Sequence, residues 1–151
     1  MSVRTVIRDL KSDEDASVSV PLQLVATIPT DEANTKIPIS ISVSYLNGGA
    51  TGAQRAGTAK LQSYHYAVPN RRASHKKDNV ADMPLLDTNN DWVRDLTRKI
   101  AVSVAKRHGK PCYVAWASNT ELNGNGLSMD QLFMLKSCIS AIDSMMPSPT
   151  N

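Results

Sequence analysis

The sequence predicts an α+β domain, an antiparallel β-sheet with two helices packed on one of its faces. Three observations lead there. Residues 36–46 alternate strictly, with Ile37, Ile39, Ile41, Val43 and Tyr45 on one side and Pro38, Ser40, Ser42 and Ser44 on the other, which is the period of a strand buried on one face. That one-sided pattern is usual in antiparallel sheets, whereas parallel strands buried on both faces read as continuous apolar runs. Strand periodicity fills the first two thirds of the chain and helical periodicity the last third, and runs of strands followed by helices point to a sheet with helices on one face.

Residues 3–10 are a short run containing β-branched side chains. In residues 18–28, Val18, Val20, Leu22, Leu24 and Ala26 share one face, and Ser19, Gln23 and Thr27 the other. Pro21 suits a strand start, an edge or a bulge, and residues 29–32 (PTDE) break the run. Beyond the strand at 36–46, residues 47–59 (NGGATGAQRAGTA) are too rich in Gly and small side chains to pack and read as a flexible loop. In residues 60–68, Leu61, Ser63, His65 and Ala67 alternate with Gln62, Tyr64, Tyr66 and Val68, and Pro69 closes the strand. Residues 70–79 (NRRASHKKDN) are a second, basic loop, and 80–86 a short strand or extended segment.

The first helix starts at an Asn90 or Asp91 cap and buries a stripe of Val93, Leu96, Ile100 and Val104. Its acids, Asp91 and Asp95, come early and its bases, Lys106, Arg107 and His108, come late, which complements the helix dipole. Gly109 supplies the left-handed stop, and Pro111 leads into an apolar strand at 111–117. The second helix opens on a Ser128/Gln131 capping box with Leu127 and Leu132 as a hydrophobic staple. Its expected apolar face is Leu132, Leu135, Ile139, Ile142 and Met146, and Pro147 ends it before a frayed tail at 147–151. The whole, residues 1–151, reads as one domain.

Composition removes several function classes. The chain is 41% hydrophobic and 21% charged with a net charge of +3, ordinary for a globular protein and too small an excess to make nucleic acid the default partner. No apolar run approaches the roughly 20 residues of a membrane span, and the first residues lack the apolar core of a signal peptide. The expected location is the cytosol or nucleus. The two cysteines, Cys112 and Cys138, lie in apolar runs outside any CxxC or CxxH spacing, and read as buried small hydrophobes rather than zinc ligands or a disulfide framework.

A search for chemistry finds no phosphate-binding GxxxxGK[ST], no GxGxxG, no GxSxG and no HExxH. His65, between two tyrosines, invites a catalytic reading, but no nucleophile or acid is tied to it by spacing, so a packed or surface strand histidine is the better account. His75 sits in the basic loop and His108 at a helix end. The DTNND run from Asp87 lacks the alternating ligands and glycine of a calcium loop and reads as helix capping. The basic run Arg71, Arg72, His75, Lys76 and Lys77 has no interleaved aromatics for base stacking, which favours acidic protein surfaces over nucleic acid. The expectation is a protein without catalytic, cofactor or metal residues that works by binding other proteins.

Five segments then fall in a telling order: KIPIS (36–40), YHYAVP (64–69), PLLDT (84–88) with Arg94-Asp95, KPCYVAWAS (110–118) and LKSC (135–138). In this order and spacing the chain resembles the proteasome assembly chaperone 4 family in its fungal form, over residues 3–146. Segments 47–59 and 119–127 depart from the pattern. The resemblance implies a non-enzymatic subunit that pairs with a related small subunit, assembly chaperone 3. It also implies that the two sheets approach each other, and that the pair orders proteasome α subunits in the core particle and leaves before maturation. Against that background Ser40, Ser42, Ser44, Tyr64 and Tyr66 are the candidate partner interface, since tyrosine combines apolar area with a polar tip. Arg71, Arg72, Lys76 and Lys77 are the candidate client contact. The competing expectation is a different interaction or trafficking subunit built on a similar sheet.

Overall fold

In the computed structural model, which describes residues 3–10, 22–31, 33–45, 59–70, 80–118 and 131–146, the alternating segments become one sheet. Among these residues the elements run β1 (Val3–Leu10), β2 (Leu22–Pro29), β3 (Ile39–Tyr45), β4 (Lys60–Pro69), β5 (Val80–Leu86), α1 (Asp91–His108), β6 (Cys112–Ser118) and α2 (Gln131–Met145). The strand order is β1-β2-β3-β6-β4-β5. The expected fold class holds, with one correction to its hydrogen bonding. Four pairings are antiparallel, but β3 and β6 run parallel, from Ile39 opposite Cys112 to Tyr45 opposite Ser118. The sheet is therefore mixed, and β6 lies between β3 and β4. The backbone bond from Ile39 N to Pro111 O, 2.8 Å, carries the parallel ladder to its first rung.

Both helices lie on one face of the sheet. That face is built from the apolar phase of each strand: Leu22, Leu24, Ala26 and Ile28 of β2, Ile39, Ile41, Val43 and Tyr45 of β3, Cys112, Val114 and Trp116 of β6. α1 covers β4, β5 and β6, and α2 lies beside α1 over β1 and β2. α1 forms as its caps dictate. The Asn90 side chain accepts from Val93 N at 3.2 Å, and Gly109 takes φ 63° at the C-cap, where an L side chain would be strained. Val93, Leu96, Ile100 and Val104 are all fully buried.

α2 is helical where expected, but its buried stripe is Met134, Cys138, Ala141, Ile142 and Met145. Leu132, assigned to the core by spacing, is 51% exposed, while Leu135 and Met146 are partly buried at the margin. This helix is apolar around most of its circumference, so spacing alone leaves its rotational phase open. The expected capping box and staple at Leu127 and Ser128, the loop at 47–59 and the tail at 147–151 lie outside the described residues, apart from Ala59.

Two long basic side chains complete what α2 lacks. Its last turn holds no basic residue. Arg4 of β1 donates instead to the Met145 carbonyl, and Arg8 donates to Ser144 Oγ, placing positive charge where the helix dipole ends. Lys110, only 2% exposed, donates from Nζ to the Asn34 carbonyl at 2.9 Å and ties the α1–β6 connection to the one before β3. Arg107 and His108 both reach Asp143 across the helix pair. Both cysteines are free and buried, and burial pushes each thiol up to about 12, so they pack as hydrophobes rather than react.

Candidate functional site

The strand phase opposite the helices faces outward and no described element covers it. The register aligns it in rows across the sheet. One row runs Thr5, Thr27, Ser40, Tyr113, Tyr66, Met83, and the next runs Ile7, Val25, Ser42, Ala115, Tyr64, Leu86. A third, shorter row runs Asp9, Gln23, Ser44, Ala117, Leu61. Apolar and tyrosine side chains dominate, and Asp9 is the one charged residue in the three rows. Ile7 at 63%, Met83 at 53% and Leu61 at 51% are exposed far beyond what an isolated fold requires of such side chains.

All five residues expected at the partner interface, Ser40, Ser42, Ser44, Tyr64 and Tyr66, lie on this face, Ser40 exposed and the other four partly so. The four residues expected at the client contact, Arg71, Arg72, Lys76 and Lys77, lie outside the described residues, as does His75. Several members of the face escaped the sequence reading. Tyr113 sits between the other two rings, its centroid 4.6 Å from Tyr66 and 6.0 Å from Tyr64. The alternation of Tyr113, Ala115 and Ala117 with Cys112, Val114 and Trp116 marks these faces, but the run is apolar on both and hides which is which. Leu61 was assigned to the buried phase. A break in register between Leu61 and Ser63 turns it to the outer face instead, opposite Ala117.

The three neighbouring rings stand tall on the β4–β6 side, while β2 and β3 contribute short side chains. Where the two heights meet lies a depression of about 290 Å³, lined by Val25, Thr27, Ser40, Ser42, Leu61, Tyr64, Tyr113 and Ala115. Among the described residues no group of three or more His, Cys, Asp or Glu could hold a metal ion, and no helix is long and apolar enough to cross a membrane.

Behind the tyrosines, on the helix side, His65 is 3% exposed and donates from Nε2 to Asp82 Oδ2 at 2.7 Å. Arg98 of α1 donates to the same oxygen at 3.0 Å, so the trio fastens β4 and β5 to α1. The packed reading of His65 is the one the geometry supports. Burial is the largest influence on the Asp82 carboxyl and raises it, but the bonds and charges of His65 and Arg98 together outweigh it and hold the carboxyl below 3.8. A carboxyl depressed by folding adds stability above its unfolded value that is lost as pH falls through its folded one. Asp82→Asn should therefore lower the urea midpoint at pH 6 and flatten its fall between pH 5 and 3. Parallel pH curves for the two proteins would contradict this.

Comparison with known proteins places these features. The family model described as 20S proteasome chaperone assembly proteins 3 and 4 matches residues 1–143. Proteasome chaperone 4 of Saccharomyces cerevisiae is 33% identical over 147 residues, covering 94% of this chain and 96% of that protein. A chain in the crystal structure of a chaperone complex for yeast 20S proteasome assembly superposes with a TM-score of 0.74 at 32% identity, covering 97% of this chain and all of that one.

Proposed function

This chain belongs to the family of 20S proteasome chaperone assembly proteins 3 and 4, and from that membership we propose that it acts as one half of a heterodimer whose sheets meet face to face. It is a proteasome assembly chaperone and not an enzyme. The partner in this reading is the related small subunit, assembly chaperone 3. The pair binds proteasome α subunits in the cytosol or nucleus, guides their order in the α-ring and departs before the core particle matures.

The observation that carries the reading is the outer face of the sheet, which no described element covers. Interface cores are depleted in charge and enriched in tyrosine and methionine, and these rows have that composition. Their size also suits a stable pair. Six strands about 4.8 Å apart, each rising about 3.3 Å per residue over seven residues, give a footprint of roughly 24 by 23 Å. The relief of the tyrosines raises its accessible area toward the ~800 Å² per partner of a standard interface. Two such faces stack about 10 Å apart in a β-sandwich. Ser40, Ser42, Ser44, Tyr64 and Tyr66 lie within this surface, joined by Ile7, Leu61, Met83, Leu86 and Tyr113.

Arg71, Arg72, Lys76 and Lys77 serve in this reading as the client contact, steering the pair toward acidic patches on an α subunit. Neutralising all four should slow association with α subunits severalfold and flatten its salt dependence, while pairing with the other chaperone is kept. Equal rates and equal salt slopes would make the segment a mere connector. The reading as a whole is tested by coexpressing the chain with the partner and the α subunits. It expects both to copurify with it, and recovery of the chain alone contradicts it.

A further inference from the structure

A flat sheet cannot fill the depression on the outer face. Its floor is formed by the small side chains of Ser40, Ser42 and Ala115, and its wall by the rings of Tyr64 and Tyr113. Leu61 closes one side because the register break turns it outward. Val25 and Thr27 line the other side, and the Thr27 hydroxyl is engaged with that of Thr5 at 3.2 Å. At about 290 Å³ the hollow lies just under the roughly 300–1,000 Å³ of ordinary small-molecule sites. It lies near the middle of the six-stranded order, where the hot spots of an interface concentrate.

We propose that this hollow receives a single aromatic side chain projecting from the partner's sheet and is the main anchor of the pair. The inference rests on the face-to-face reading above and adds where its affinity resides. An aromatic ring fits for three reasons. The wall is made of the Tyr64 and Tyr113 rings, and offset or edge contacts between rings add to area burial. The serine hydroxyls on the floor can meet a polar tip. Aromatic anchors buried in pockets and ringed by weaker contacts carry most of the energy of such interfaces. The rim residues Ile7 and Met83 exclude water around the anchor and contribute less.

The test fills the hollow from this side and empties it from the other. Ser42→Phe and Ala115→Leu each occupy it with an apolar group and leave the face uncharged. If either fails to fold, judged by circular dichroism, the other carries the measurement. Each should weaken pairing at least a hundredfold in titration calorimetry, against a few-fold for Ile7→Ala or Met83→Ala. One aromatic residue of the partner, found by alanine substitution of its outer sheet face, should show the same loss. Combining that alanine with Ser42→Phe should lose no more than either change alone. Filled variants that bind within threefold of the wild type overturn the proposal, as does a loss that couples to no partner aromatic. Tyr66→Glu separates the two readings. If it abolishes pairing while the filled variants bind normally, the anchor is wrong and the face is right. If it pairs normally as well, both are wrong.

Discussion

A chain carrying Tyr66→Glu is expected to fold and to lose its partner. Tyr66 stands next to Tyr113 on the outer face, ring centroids 4.6 Å apart, and is partly open to water in the single chain. Without a partner, a glutamate there remains solvated and gives up only the ring contact, roughly 0.5–1.5 kcal/mol. Between two stacked sheets the same carboxylate must shed its water with no cation in these rows to receive it, at a cost of several kcal/mol. A penalty of about 3–5 kcal/mol is a loss of roughly 10²–10⁴ in affinity. Tyr64→Glu should behave alike, because it lies in the adjoining row against Ala115 and Leu86. Copurification reads the pairing and thermal unfolding of the single chain reads the fold. A variant that unfolds on its own would place these tyrosines in the fold's stability instead, and a variant that still pairs would move the interface elsewhere.

The largest effect on stability is expected at Trp116. It is fully buried on β6, level with Val43 of β3 and Ser63 of β4, and meets Trp92 of α1 edge-on at 6.1 Å and 77°. It is the largest fully buried side chain among the described residues. Trp116→Ala should cost about 3–5 kcal/mol, a large share of the ~5–15 kcal/mol that holds a domain together. At this size that corresponds to a drop in Tm of roughly 6–20 °C. Trp116→Phe should cost far less than the lost area suggests. The indole Nε1 is buried with no hydrogen-bond partner, so phenylalanine also removes an unsatisfied donor. Urea unfolding of the two variants gives the comparison. Equal losses would mean that the indole nitrogen carries no penalty.

Much of this could be read from the residues. The Ile/Ser alternation of β3 and the Asn90 and Gly109 caps of α1 are local signals, and local signals survive into the fold. The parallel pairing of β3 with β6 was not legible, because it joins segments some seventy residues apart and β6 is apolar on both faces. The phase of α2 was lost for a similar reason, since Leu132 and Leu135 compete with Met134 and Cys138 for one buried stripe. Leu61 was misassigned because a register break inverts every side chain before it relative to those after it. The five residues named for the interface came out on one surface, yet that surface is larger than the serines and tyrosines suggested. Its outer parts, Ile7 and Met83, belong to strands whose apolar side chains give no sign of facing outward.

The central claim is that the outer face of the sheet is closed by a related but different subunit. The mass of this chain coexpressed with that subunit, measured under native conditions, tests it most directly. The expected result is a one-to-one heterodimer with little free chain, reduced to monomers by Tyr66→Glu. A monomer or homodimer that ignores the partner would contradict it.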